Sequence, residues 1–282
     1  MDPILSLPQL DIPELLHRYG LRPDKHLGQN FLIDRAALKD VVEAADIRPQ
    51  DFVLEIGPGL GSLTRYLALM ARQVVAVELD ADLLPPLKLV LAPYANITLI
   101  EGDILALDPS RLMDEAGYLV VANIPYYITS ALIRHLLEAR RMPRRLVLTV
   151  QREVAERICA QPGEMSLLAL SVQVYGQPKI AAQIPSGSFY PAPKIDSTVV
   201  RVDIYPQPAI PAGQIKLFFQ LAKAGFSQKR KTLRNALSGG LAWAPERARS
   251  LLLEAAIDPM RRAETLSLQE WAALTEIFTH MS

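Results

Sequence analysis

Val53-Leu54-Glu55-Ile56-Gly57-Pro58-Gly59-Leu60-Gly61-Ser62 is a short apolar run that breaks into closely spaced glycines, and the stretch from Ser62 to Ala71 then has a helical pattern. An apolar run of four or five residues bounded by turn-formers reads as a buried strand. The glycines permit a sharp strand-to-helix turn and let the backbone approach a ligand closely. Working outward, Phe52–Ile56 is one of five such runs, with Val74–Val77, Ile97–Ile100, Leu119–Ala122 and Leu146–Val150. Helix-length segments separate several of them, which predicts an α/β fold with a largely parallel sheet. Two further strand-like stretches, Leu170–Tyr175 and Ser197–Ile204, are close enough in sequence to add antiparallel strands at one edge. Seven strands are expected.

The chain has 282 residues, half of them apolar, enough for one large domain or a large and a small one. Thirty basic and thirty acidic residues give a formal net charge of zero, so bulk charge offers no argument for nucleic-acid binding. Any basic surface must be local. The single cysteine, Cys159, excludes an internal disulfide and a cysteine-rich metal site, and no metal is expected. Met1–Leu10 contains Asp2, Pro3 and Pro8 and has no basic region, unlike a signal peptide or a membrane span. The expectation is a cytoplasmic protein with no membrane association.

Pro206, Pro208 and Pro211 interrupt both helix and central strand between Tyr205 and Gly213, which predicts a linker. The expected domains are therefore residues 1–207 and 208–282. Beyond the linker, helical patterns at Gln214–Ala224, Lys229–Leu237, Pro245–Ala256 and Leu268–Met281 predict a small all-helical domain.

Three carboxylates, Glu55, Glu78 and Asp103, fall at or near successive strand ends, where open α/β sheets bind ligands. Glu78, about twenty residues beyond the glycine turn, is placed to accept hydrogen bonds from both hydroxyls of an adenosine ribose. Asp80 follows on the same loop, equally suited to capping a helix. Asp103 lies just past the third strand, within reach of an adenine amino group or acting as a turn residue. Ser62 stands where a nicotinamide-type fingerprint wants its third glycine or alanine, which counts against a dehydrogenase.

The fourth strand runs into Asn123-Ile124-Pro125-Tyr126, and this tetrad resembles that of the NPPY-type amino methyltransferases. An adenine amino group is a poor nucleophile because its lone pair is delocalised into the ring. Two acceptors that draw it towards tetrahedral geometry would help: the Asn123 side-chain carbonyl and a backbone carbonyl near Ile124 or Pro125. Tyr126 would stack on a base extruded from its helix or loop. Direct transfer of this kind requires neither a metal nor a covalent nucleophile.

The resemblance extends over nearly the whole chain to the small-subunit rRNA adenine dimethyltransferases. His26-Leu27-Gly28-Gln29-Asn30-Phe31-Leu32 is similar to that family's opening motif, with His26 a modest departure. Ser188-Phe189-Tyr190-Pro191-Ala192-Pro193-Lys194-Ile195-Asp196-Ser197 is similar to its FxPxPxVxS loop, with Ile195 in place of valine. The resemblance implies a Rossmann-like class I methyltransferase fold that uses S-adenosyl-L-methionine, with Asn30, Leu32, Gly57, Gly59, Glu78, Asp103 and Asn123 at the cofactor. It implies Phe189 as the second wall of the base pocket; a hydrophobic anchor for the loop is the alternative. It implies dimethylation of two adjacent adenosines in the 3′-terminal hairpin of small-subunit rRNA, or of a pre-30S-type particle, by a monomer.

Phe226-Ser227-Gln228-Lys229-Arg230-Lys231-Thr232-Leu233-Arg234-Asn235 is similar to the family's basic stretch, and Lys223, Lys229, Arg230, Lys231 and Arg234 are the candidate RNA contacts. Lys231 and Arg234 lie three apart, on one face if the stretch is helical. Arg140, Arg141, Arg144, Arg145, Arg247, Arg249, Arg261 and Arg262 either extend that surface or are simply solvated. Two other functions remain open: a large-subunit rRNA adenine methyltransferase of the antibiotic-resistance type, and an RNA-binding factor that keeps the fold without catalysis.

Overall fold

The computed structural model describes residues 7–114, 116–124 and 128–281. Its main sheet has seven strands in the order β4-β3-β2-β5-β6-β9-β7. Five of them are parallel: β2 (Phe52–Ile56), β3 (Gln73–Glu78), β4 (Ile97–Glu101), β5 (Leu119–Asn123) and β6 (Arg145–Gln151). The inner ones are apolar at nearly every position because a parallel sheet is covered on both faces. β9 (Ser197–Ile204) runs antiparallel to β6, and β7 (Gly176–Ile184) lies at the edge. A second, two-stranded sheet pairs β1 (Phe31–Leu32) with β8 (Phe189–Tyr190), placing Leu32 opposite Phe189.

Helices α1 (Ile12–Arg18), α2 (Arg35–Ala45), α3 (Ser62–Met70), α4 (Leu84–Leu91), α5 (Pro109–Leu112) and α6 (Thr129–Leu137) accompany these strands. In α2 the Asp34 carboxylate accepts the Ala37 N–H at 2.8 Å, a side-chain cap that starts the helix. Its apolar face, Leu38, Val41, Val42 and Ala45, is buried in one cluster with Val53 and Val121 of the sheet.

One strand expectation fails. Leu170–Tyr175 is not a strand: it falls largely within α8 (Leu167–Gln173), which follows α7 (Arg152–Ile158). Ser166 caps α8 by accepting the Ala169 N–H at 3.1 Å, and Leu168, Ala169, Leu170 and Val172 are all buried. An apolar run this short and buried has no periodicity that separates helix from strand. The seventh strand is instead the more polar β7.

The chain divides into two compact units, residues 1–155 with 179–204 and residues 156–178 with 205–282. A single division at 207 therefore misses the segment 156–178. The backbone shows why it belongs with the second unit. Tyr205 N–H donates to Tyr175 O at 2.9 Å and Ala209 N–H to Val174 O at 2.7 Å, while Gly163 and Met165 both donate to Glu264 O. The remaining helices, α9 (Ile215–Phe226), α10 (Leu233–Leu241), α11 (Pro245–Glu254) and α12 (Leu268–Met281), lie in this unit. No helix among the described residues is long and apolar enough to cross a membrane.

Candidate active site

Parallel strands deliver their carboxyl ends to one edge of the first unit, and a cavity of about 280 Å³ lies there. It is lined by residues 27–32, 55–60, 77–79, 102–105 and 123–124, among others. Gly57 (φ 72°) and Gly59 (φ 59°) both adopt the left-handed conformation in the turn after β2. A Cβ on Gly59 would lie 2.9 Å from Phe31 Cδ1, so the turn and the 27–32 segment are in close contact.

Glu78 ends β3 at 6 % exposure. Its Oε2 accepts the Gly59 N–H at 2.9 Å and its Oε1 the Asp80 N–H at 3.0 Å. Burial pushes its pKa up, and the backbone N–H groups of Asp80, Gly59 and Leu79 oppose that shift by favouring the charged form. Glu55 is buried still more completely and is pushed up to about 8, chiefly by burial, with the Glu78 charge acting in the same direction. The neighbouring Thr64 opposes the shift, yet neither Thr64 Oγ1 nor Glu55 Oε2 has a hydrogen-bond partner. Glu78, unlike Glu55, has backbone N–H groups on both carboxylate oxygens and is the better placed of the two to carry charge at the cavity.

Asp103 is exposed at the rim of the cavity, its Oδ1 accepting the Leu105 N–H at 2.9 Å. Asp80 has the capping role, its Oδ1 accepting the Asp82 N–H at 3.0 Å, and its Oδ2 accepts from Gln29 Nε2 at 2.6 Å. Asn123, the last residue of β5, lines the cavity, and its Nδ2 donates to Asn30 O at 3.0 Å. The Asn30 side chain turns back to donate to Gly28 O. The cavity thus brings together all the proposed cofactor residues: Asn30, Leu32, Gly57, Gly59, Glu78, Asp103 and Asn123.

Pro125 and Tyr126 lie outside the described residues. Phe189 does not line the cavity. At 3 % exposure it is packed into the hydrophobic cluster with Leu32, Ile184 and Val199. That packing fits the anchor for the loop, because β8 pairs with β1 and buries its apolar side; the tetrad residues that would face it across a base pocket are outside the described residues. Gln29 is the residue to which the sequence assigned no role. Its partner is 51 positions away, a relation that no local spacing reveals.

In the second unit Lys223, Lys229, Arg230 and Lys231 are exposed, and none pairs with a carboxylate among the described residues. Arg234 is half-buried, its Nε donating to Asn235 Oδ1 at 3.2 Å. Residues 229–231 do not begin a helix as expected. Ser227 Oγ bonds back to Ala224 O at the end of α9, Lys231 N–H closes a turn on Gln228 O, and α10 starts only at Leu233. Lys231 and Arg234 consequently do not share a helical face.

Most of the other arginines are held by the fold. Arg141 donates to Ser110 O and Met113 O, Arg144 pairs with Asp51 at 2.6 Å, and Arg145 with Asp203 at 2.6 Å. Arg261 pairs with Glu270, and Arg247 lies over the Trp243 ring. No group of three or more His, Cys, Asp or Glu residues is placed to hold a metal ion among the described residues.

Comparison with known proteins bears on the whole chain. The family described as ribosomal RNA adenine dimethylase matches residues 21–280. A protein of Dehalococcoides mccartyi named ribosomal RNA small subunit methyltransferase A is 47 % identical, over 94 % of this chain and 92 % of its own. One of the same name from Geobacillus kaustophilus is 40 % identical, over 93 % of each chain. Among solved structures, a dimethyladenosine transferase from Plasmodium falciparum superposes with a TM-score of 0.77 at 25 % identity, covering 89 % of this chain and 98 % of that one. The 23S rRNA methyltransferase ErmE superposes with a TM-score of 0.73 at 27 % identity, covering 89 % of this chain and all of the other. With its sheet, its strand-end cavity and a family match running from residue 21 to residue 280, this chain belongs to the ribosomal RNA adenine dimethylase family.

Proposed function

We propose that the chain dimethylates the exocyclic amino group of two adjacent adenosines in the 3′-terminal hairpin of small-subunit rRNA, acting in the cytoplasm as a monomer on the RNA or on a pre-30S-type particle, with S-adenosylmethionine as methyl donor. The observation that carries this reading is the position of Asn123. Its amide stands on the same cavity as Glu78 and Asp103, so a nucleoside held by the two acids is delivered to an acceptor suited to an amino group.

The residues present fit that donor. The Glu78 carboxylate is oriented by backbone N–H groups and, as an acceptor with several lone pairs, is suited to a ribose hydroxyl. Leu79, 49 % exposed, and Ile104 give the cavity apolar surface for an adenine ring, and Asp103 stands beside Ile104 for the ring's amino group. Gly57 and Gly59 keep the turn free of side chains where the donor must pass. When bound, S-adenosylmethionine supplies a methyl group on a sulfonium, an electrophile that needs no further activation.

Asn123 Oδ1 accepts a hydrogen bond from the target amino group and, with a backbone carbonyl of the tetrad, draws its lone pair out of the ring. Tyr126 stacks on the extruded base, offsetting part of the few kcal/mol that flipping typically costs. The first unit is read as the catalytic domain and the second as the RNA-binding domain, with Lys223, Lys229, Arg230, Lys231 and Arg234 as contacts. The small subunit is favoured over the large because relatives at 40–47 % identity carry the small-subunit name, against 27 % for the 23S enzyme.

Asn123→Ala is expected to lower kcat about a hundredfold or more, by analogy with loss of one preorganised polar group, a far larger change than in donor affinity. Stopped-assay kinetics and calorimetric donor binding measure the two separately. Near-normal turnover would remove Asn123 from the chemistry.

A further inference from the structure

Residues 24–29 form a loop closed on itself. Gln29 N–H donates to Asp24 O at 3.1 Å, and Gln29 Oε1 accepts the Asp24 N–H at 2.8 Å. The other end of the same side-chain amide, Nε2, donates to Asp80 Oδ2 at 2.6 Å. One carboxamide therefore closes the loop and ties it to the end of β3, two residues from Glu78. The next residue, Asn30, presents its backbone carbonyl to Asn123 Nδ2 at 3.0 Å.

A backbone carbonyl only accepts. This contact consequently admits one orientation of the Asn123 amide, with its NH₂ towards Asn30 and its Oδ1 turned away. Oδ1 is the atom that methyl transfer needs as acceptor. A flipped amide would offer NH₂ hydrogens to an amino group that is itself a donor, and the hydrogen bond that draws out the lone pair would be lost. Because residues 27–32 also line the cavity, the segment that covers the donor is the one that sets the catalytic amide.

We infer that Gln29 is a positioning residue for methyl transfer: by latching residues 24–30 to Asp80 it fixes the Asn30 carbonyl, which holds the Asn123 amide with its oxygen available to the target amino group. The inference rests on the reaction proposed above, and its test separates the two.

The test uses Gln29→Glu and the double variant Gln29→Glu/Asp80→Asn in the full-length chain. Gln29→Glu keeps the acceptor for Asp24 N–H and removes the donor to Asp80, setting two carboxylates against each other. The double variant returns a donor and an acceptor with the amide on the opposite side. Three quantities are read: kcat at saturating donor and RNA, donor Kd, and the side-chain NH₂ resonances of Asn123, assigned by their loss in Asn123→Asp.

Gln29→Glu is expected to lower kcat about ten- to a hundredfold, a larger change than in donor Kd, and to move the Asn123 NH₂ resonances towards those of a free carboxamide. The double variant is expected to recover most of both. If Gln29→Glu weakens donor binding while kcat at saturation and the Asn123 resonances stay at wild-type values, the segment is only a cover and the inference fails. A wild-type chain inactive on rRNA whose Asn123 resonances still respond to Gln29→Glu and recover in the double variant would uphold the latch and overturn the reaction. Failure of the double variant to recover either quantity, when its thermal midpoint equals that of wild type, also overturns the latch.

Discussion

Asn123 carries one donor group and one acceptor atom on its side chain, and the structure assigns the donor to Asn30 O. Under the proposed reaction, a single acceptor on a fixed amide makes Asn123 directional: it would strengthen only the arrangement in which the target amine lies on the Oδ1 side. Phe189 poses the opposite case, a motif aromatic that packing has claimed. Phe189→Ala is expected to cost about 3–5 kcal/mol of stability, as for other buried aromatic truncations, measured by urea unfolding. Phe189→Leu, which keeps most of the apolar volume, is expected to stay folded and active. A folded Phe189→Leu with kcat down a hundredfold would return Phe189 to the base pocket. The sequence could name Phe189 but not its exposure, because the motif records chain order and the burial comes from β1 pairing with β8 across more than 150 residues.

Among the elements, the turn after β2 is constrained from several sides. Gly59 combines φ 59°, a backbone N–H on Glu78 and a Cβ position 2.9 Å from the Phe31 ring. Gly59→Ala is therefore expected to lose roughly 1–2 kcal/mol of stability from the left-handed backbone alone and to weaken donor binding because Phe31 must move. Calorimetry against the donor checks this, and unchanged affinity would contradict the close fit of turn and segment. This turn and the five parallel strands were legible in the sequence, because continuous apolar runs ending in glycine or a carboxylate have few other folded solutions. Residues 167–173 were not legible. Their burial comes from the second unit, and a seven-residue apolar run shows too little periodicity to declare itself a helix. Nor was the turn at 227–232, where Ser227 closes α9 and breaks the helical spacing assumed for Lys231 and Arg234.

For the whole molecule, a net charge of zero leaves any basic surface local, and the second unit carries an exposed run of Lys229, Arg230 and Lys231 with Lys223 nearby in sequence. Lys229→Ala with Arg230→Ala is expected to weaken RNA binding and to reduce the slope of log K against log salt by roughly 1.5–2, about one unit or slightly less per phosphate contact. An unchanged slope would show that these residues do not meet the backbone. The placing of residues 156–178 in the second unit depends on backbone bonds to Tyr205, Ala209 and Glu264 that no local pattern encodes. Methyl transfer to small-subunit adenosines is measured by incubating the chain and labelled S-adenosylmethionine with undermethylated small subunits and, in parallel, with large subunits, and identifying the product nucleoside by mass. Dimethyladenosine is expected at two adjacent positions in the terminal hairpin of the small subunit's RNA. Label in the large subunit alone, or none in either despite measured donor binding, would contradict it.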